Sequence, residues 1–261
     1  MIVTYSNLGR NGEFGNQLFQ IAATCSYGLK ANRTPIFPKW QCVVSNKIYS
    51  DFFKNSIFED NINYDIQYIE KNFYYNEIPL FENNIVDLKG YFQSEKYFKD
   101  FKKNILNLFT PKDLIIKKIN NLNFDNSVSV QLRFYDRGYI DPQNVYYSAN
   151  ENSEYLRKAI NYFGKNKKYY VTTNNLYKAK NLFGKYDNFI FVDDLGYDNV
   201  ESFFIQTKCE NNIITNSSFG WWGAYLNENE EKKVFAPKNW FRREDEWYNT
   251  KDLYCNDWKI L

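Results

Sequence analysis

Histidine is missing from all 261 residues. Since it is the most frequent general base and the commonest metal ligand, Ser-His-Asp and Cys-His chemistry and His-ligated metals are excluded. Proton transfer then falls to a carboxylate or, less readily, to Tyr, Lys or Cys. Charge of one sign is also missing: 33 Lys plus Arg stand against 31 Asp plus Glu, and a formal charge of +2 carries no nucleic-acid footprint. The four cysteines, Cys25, Cys42, Cys209 and Cys255, form no C-x-x-C pair, so reduced, partly buried thiols are expected rather than a disulfide framework or a zinc site. That usage fits a reducing cytoplasm. The first residues run from Met1-Ile2-Val3-Thr4-Tyr5 into a polar loop with no signal-peptide pattern, and no apolar run approaches the roughly 20 residues that cross a bilayer. A soluble cytoplasmic chain is expected, with contact at a membrane surface left open.

What is present is an aromatic-rich chain, 44% hydrophobic and 20% Phe, Trp and Tyr, long enough to bury one large core or two smaller ones. Residues 2–6 read as a strand and residues 9–15 as a glycine-punctuated loop. Leu18, Ala22, Cys25 and Leu29 then repeat at helical spacing. Residues 35–37 and 85–88 read as strands, Phe98, Phe101, Ile105 and Leu108 as a helix, and Pro111 as the start of another. Periodicity is weak over residues 40–84. From residue 127 apolar strands at 127–132, 169–172, 189–192, 213–215 and 234–236 alternate with helical stripes such as Tyr155, Leu156, Ala159, Ile160 and Phe163. That alternation predicts an α/β fold with a parallel sheet whose ligands bind outside the carboxyl ends of its strands. The seam is expected near residues 110–126, dividing the chain into domains 1–115 and 116–261.

Four segments carry candidate chemistry. Asn211-Asn212-Ile213-Ile214-Thr215-Asn216-Ser217-Ser218-Phe219-Gly220 reads as strand, polar turn and helix start, where Ser217 or Ser218 caps the helix and free N–H groups can hold a phosphate; a plain capped helix reads the same. Arg133 ends the strand at 127–132, and its planar fork suits a pyrophosphate, or equally a salt bridge to Asp136. Gly12-Glu13-Phe14-Gly15-Asn16-Gln17 places two glycines at the first strand-to-helix turn, where Asn16 could cap the helix; it matches neither the Walker nor the dinucleotide fingerprint. Asp193-Asp194 could bind a divalent ion, cap a helix or face solvent.

Together these segments resemble glycosyltransferase family 11, whose characterised members are mainly α-1,2-fucosyltransferases. Residues 12–20 (GEFGNQLFQ) resemble the family's G-x-[LM]-G-N-Q-[LM]-F-Q, and residues 90–98 (GYFQSEKYF) its G-Y-[FW]-Q-S-x-x-Y-F. Residues 215–226 resemble N-S-S-F-S-W-W-G-A-W-L, with Gly220 for a serine and Tyr225 for a tryptophan. Residues 233–241 and Asp257-Trp258 are similar to the closing segment. Where the family usually reads H-V-R-R-G-D, this chain has Gln131-Leu132-Arg133-Phe134-Tyr135-Asp136, and Thr172-Thr173-Asn174-Asn175 replaces an S-D-D-like turn.

The resemblance implies a GT-B-like architecture of two facing Rossmann-type domains, with an acceptor side in the first and a nucleotide-sugar side in the second. It implies inverting transfer of fucose from GDP-fucose to a glycan hydroxyl, α-1,2 to galactose, with the GDP-sugar as co-substrate and no metal or other cofactor. Arg133, Asn216, Ser217, Ser218 and Phe219 are then the donor cradle, joined by Gly15, Asn16 and Gln17 from the other domain, with Thr173 and Asn174 toward the nucleoside. Asp136 is the first choice of base and Arg133 the group that meets the leaving diphosphate, with Glu13 and Glu95 as weaker bases. The departures at Gln131 and Phe134 keep another nucleotide sugar open as donor, and a silent carbohydrate-binding protein is the reading from outside enzymology.

Overall fold

The computed structural model describes residues 1–55, 57–135 and 145–261. They divide into two compact units, one of residues 1–113 with 245–255 and one of residues 114–244 with 256–261. Each is built on its own parallel sheet.

In the first unit β1 (Ile2–Thr4) leads through the glycine loop into α1 (Phe14–Ala31), followed by β2 (Thr34–Phe37), β3 (Phe58–Glu59), β4 (Ile66–Ile69), β5 (Ile85–Lys89) and α2 (Lys102–Leu108). Gly9 and Gly12 take φ of +83° and +75° in that loop, where a side chain would be strained. A Cβ on Gly9 would also lie 2.1 Å from the Gln41 carbonyl oxygen. α1 ends at Asn32, which takes the left-handed conformation and returns its N–H to the Gly28 carbonyl. The strand order is β3-β2-β1-β5-β4, so the chain reverses direction across the sheet between β1 and β5. β3 and β4 fall in the stretch where sequence periodicity was weakest. Residues 245–255, placed with the second domain by sequence, are built into the first unit: Phe73 N–H reaches the Trp247 carbonyl at 3.1 Å, and Lys96 pairs with Asp252 at 2.6 Å.

The second unit holds α3 (Asp113–Ile119, its first residue shared with the first unit), β6 (Ser127–Leu132), α4 (Ser153–Phe163), β7 (Lys168–Thr173), α5 (Leu176–Phe183), β8 (Phe189–Phe191), α6 (Asn199–Lys208), β9 (Asn211–Ile213), α7 (Ser218–Tyr225), β10 (Val234–Ala236) and β11 (Lys259–Ile260). Its order is β11-β10-β9-β6-β7-β8, again all parallel, with the reversal between β6 and β9. All six residues of β6 are buried, as expected for a central strand covered on both faces. Val128, Val130 and Leu132 pack with Leu156 and Ala159 of α4. The intervening Ser129 and Gln131 meet Asn212 and Gly220 instead.

Several local expectations change. Asn16 does not cap α1: the cap position is Glu13, without a side-chain hydrogen bond, and Asn16 lies inside the first turn. Asp193-Asp194 do not cap α6, because Asp198 and Glu201 form a reciprocal capping box there, while Asp194 pairs with Lys180 at 2.8 Å. Among the described residues the four cysteines form no disulfide. Among the described residues no helix is long and apolar enough to cross a membrane.

Candidate functional site

In an open parallel sheet the ligand crevice lies where the strand order reverses, outside the carboxyl ends of the two strands that flank the reversal. In the second unit those strands are β6 and β9. Arg133 directly follows β6, and Thr215-Asn216-Ser217 follow β9. The Arg133 N–H donates to Thr215 Oγ1 at 2.9 Å, and that hydroxyl in turn donates to Gln131 Oε1 at 3.1 Å. The arginine-tipped strand and the later helix start are therefore neighbours.

The three residues after β6 are tied at nearly every polar backbone atom. The Arg133 carbonyl accepts from Ala149 N–H at 2.8 Å. Asn174 uses both ends of its amide on Phe134, accepting from the N–H at 2.8 Å and donating to the carbonyl at 2.9 Å. Tyr135 N–H donates to Ser148 Oγ at 3.1 Å, and its phenol donates to the Asn216 carbonyl at 2.6 Å. The Tyr135 ring stacks on Tyr146 at 4.7 Å, and the Arg133 guanidinium lies 5.4 Å from that ring's centroid. Among the described residues no carboxylate pairs with Arg133, which leaves its fork available to an anion. Asp136, the candidate base, lies outside the described residues.

The cap of α7 is Ser217, whose Oγ accepts from Phe219 N–H at 3.3 Å. Beyond it, Ser218 and Gly220 carry first-turn N–H groups that no preceding turn satisfies. Ser217, Ser218 and Phe219 are half-buried. Asn216 is fully buried, and its amide donates to the Asn239 and Trp240 carbonyls at 2.6 and 2.7 Å while its oxygen accepts from Asn152. It shapes the turn from within. Thr173 Oγ1 accepts from Asn175 N–H at 3.0 Å, and Asn175 Oδ1 caps α5 through Lys178 N–H at 3.0 Å. Asn174 and Thr173 thus form the rim after β7.

In the first unit the reversal lies between β1 and β5, and the two glycine motifs meet there. Asn16 Oδ1 accepts from Gln93 Nε2 at 2.9 Å. Gln17 is fully buried, and its amide is spent on the Gly12 carbonyl at 2.8 Å and the Trp40 indole at 2.7 Å. Gly15 is buried in the first turn of α1. Glu13 is exposed and Glu95 opens a short 3-10 turn.

Sequence reasoning missed Glu70, which directly follows β4 and is 3% exposed. Its carboxylate accepts from Tyr91 N–H at 2.6 Å and Phe92 N–H at 3.0 Å. Burial pushes its carboxyl up to about 7, against the opposing pull of those two bonds. Phe92 sits at φ 52°, a conformation uncommon for a bulky residue. A Cβ at Gly90 would lie 2.4 Å from Glu70 Cβ, so the motif's glycine makes room for this carboxylate. The one signal in the sequence is a lone acid at the end of a short apolar run, which is too common to single out.

The model of glycosyl transferase family 11 matches residues 6–261. The chain belongs to that family. It is 26% identical over 236 residues to the O-antigen biosynthesis glycosyltransferase WbnK of Escherichia coli, covering 86% of this chain and 73% of the relative. An Escherichia coli α-1,2-colitosyltransferase is 28% identical over 173 residues, which are 61% of this chain and 58% of the relative. In fold, this family 11 chain resembles the NodZ α-1,6-fucosyltransferase of Bradyrhizobium, solved after soaking with GDP-fucose, with a TM-score of 0.57, 14% identity and coverage of 86% and 92%. The protein is a glycosyltransferase of family 11 with a GT-B-like α/β fold.

Proposed function

We propose that this glycosyltransferase moves fucose from GDP-fucose to a glycan hydroxyl, with inversion and with α-1,2 linkage to galactose as the leading product. The observation that carries the reading is that Arg133, whose guanidinium pairs with no carboxylate among the described residues, sits with its backbone against Thr215, two residues before the Ser217 cap of α7, at the reversal between β6 and β9. As the anomeric carbon leaves the diphosphate, negative charge grows on the leaving oxygens, and fixed donors aimed at that position stabilise it. Arg133 and the first-turn N–H groups of α7 supply such donors. In this reading they replace a cation, no other cofactor takes part, and the chain works in the cytoplasm. Thr173 and Asn174 line the nucleoside side, and Asp136 takes the proton of the acceptor hydroxyl.

A second donor, a nucleotide-linked colitose, is favoured by the colitosyltransferase relative and by the departures at Gln131 and Phe134. The test is a donor screen with GDP-fucose, GDP-colitose, a UDP-sugar and a dTDP-sugar over galactose-terminated acceptors, with products resolved by mass. Transfer from GDP-fucose without added metal, blocked competitively by GDP, is the expected result. Transfer from a UDP- or dTDP-sugar alone would overturn the donor assignment, and a strict requirement for a divalent ion would overturn the charge argument.

A further inference from the structure

The carboxyl edge of the first sheet carries a charged group with no assigned task. Glu70 is buried, and among the described residues its carboxylate has no Lys or Arg partner; its two hydrogen bonds come from consecutive backbone N–H groups. Taking an uncompensated carboxylate out of water is costly, so the position is unexpected for mere packing. The titratable groups that feel its charge are phenols: Tyr5 from the end of β1, Tyr68 on its own strand, Tyr91 from the loop after β5, and Tyr97 from the 3-10 turn beyond. All four phenols are held above their ordinary range, so none titrates near neutrality.

The two N–H groups that Glu70 holds immediately precede Gln93, whose amide donates to Asn16 at 2.9 Å. Tyr5 ties the same loop from the other side, donating from its phenol to the Gly90 carbonyl at 2.7 Å. Phe92 is thereby kept at its positive φ, and the turn from Gly90 to Gln93 is set in one shape against the first turn of α1. Protonated, the carboxyl keeps one full acceptor and turns one oxygen into a donor. A donor facing a backbone N–H breaks one of the two bonds.

We propose that Glu70 is a positioning residue of the transfer reaction: as a carboxylate it fixes the loop of Tyr91 and Phe92, holds Gln93 on Asn16, and so shapes the edge at which the first unit meets substrate. The proposal rests on the reading of that edge as substrate-facing. Because Glu70 holds its proton up to near neutrality, kcat/KM for the acceptor should fall as pH drops through about 7, with kcat less affected.

The experiment follows kcat/KM between pH 6 and 8.5 in wild type, Glu70→Gln, Gln93→Ala and the double variant. Glu70→Gln is expected to lose about tenfold at pH 8.5, to lose the acid limb, and to show no further loss when Gln93→Ala is added. Retention of the limb in Glu70→Gln, or additive losses in the double variant, would overturn the proposal. Should Glu70→Gln fail to fold, Gln93→Ala alone must flatten the wild-type limb, and an unchanged limb counts against it. A readout free of turnover is the pH titration of the Tyr91 and Phe92 amide resonances in the wild-type protein. Amides that move together near pH 7 in a protein that transfers no sugar would sink the functional reading and leave the clamp standing. Amides that stay still would sink the clamp whatever the enzyme does.

Discussion

The two units solve one problem with opposite chemistry. Both are parallel sheets with a reversal in strand order, and both must hold irregular backbone in fixed shape at that crevice. In the first unit the work is done by buried carboxylates. Glu70 holds Tyr91 and Phe92, and Asp87 accepts from Ser6 N–H at 2.7 Å, Ser6 Oγ at 2.9 Å and Gln67 Nε2 at 2.6 Å. In the second unit the equivalent work falls to neutral groups: the amides of Asn174, Asn216, Asn152 and Gln131 and the hydroxyls of Thr215 and Ser148. Carboxylates buried at a crevice disfavour a diphosphate when ionised, whereas the amides and hydroxyls beside Arg133 leave its guanidinium without a carboxylate partner among the described residues. On the proposed reading the charged half of the reaction belongs to the second unit, and Glu70 makes the first unit's edge sensitive to protons near neutrality.

The harshest way to break the neutral wall is Asn216→Ala. It removes donors from the Asn239 carbonyl and the buried Trp240 carbonyl, and an acceptor from Asn152. At about 1–3 kcal/mol per buried group left unpaired, the loss should reach roughly 3–5 kcal/mol. Urea unfolding checks this, and a loss below about 1 kcal/mol would mean that water replaces the amide. Arg133→Ala tests the charge that the wall leaves free. Its guanidinium makes no hydrogen bond or ion pair among the described residues, so stability should change by less than about 1 kcal/mol. Activity should fall by about 10²–10³, as when a donor to a developing anion is removed. Equal losses in folding and turnover would assign Arg133 to the scaffold.

The anionic edge makes a further difference visible in stability. Glu70 binds its proton more tightly folded, near 7, than unfolded, where a glutamate has its ordinary value of 4.5. The native state therefore holds the extra proton between those values, and stability must fall as pH rises through that window, by about 3–4 kcal/mol at most. Transfer activity is expected to move the other way. Melting temperature against pH in wild type and Glu70→Gln reads this contribution, and identical slopes would show that the carboxyl titrates elsewhere.

How much of this was legible depended on whether a residue's task is local or distant. β6, with Val128, Val130 and Leu132 alternating along it, is found at residues 127–132 as the sequence suggested, and its polar face is buried as well. The cap at Ser217 and the helix from Phe14 were also readable, because capping and periodicity act within a few residues. β4 was not, since Ile66-Gln67-Tyr68-Ile69 shows no clear alternation and is ordered by pairing with β5, some twenty residues later. Glu70 follows the same rule: its partners lie 21 and 22 residues away. Asn16 and Gln17 looked equivalent in the motif, yet Gln17 is consumed by Gly12 and Trp40 while Asn16 meets Gln93. Only packing separates them.

The smallest expected effect tests whether two departures from the family pattern are one event. Gln131 stands where the family has histidine and Gly220 where it has serine, and the two residues touch: a Cβ at Gly220 would lie 2.8 Å from Gln131 Oε1 and 3.1 Å from its Cβ. The Gln131 oxygen accepts from Thr215 Oγ1, the hydroxyl that receives the Arg133 N–H. Gly220→Ala should gain about 0.5–1 kcal/mol from helix propensity, yet overpacking against Gln131 costs about 1–3 kcal/mol. A net loss of about 1 kcal/mol is therefore expected. In a Gln131→Ala background the crowding vanishes and the same substitution should become neutral or mildly stabilising. A thermodynamic cycle of the two changes should give a coupling of about 1–2 kcal/mol. Strict additivity would mean that the glycine answers to something other than the glutamine, and that the neutral wall beside Arg133 tolerates more bulk than its packing implies.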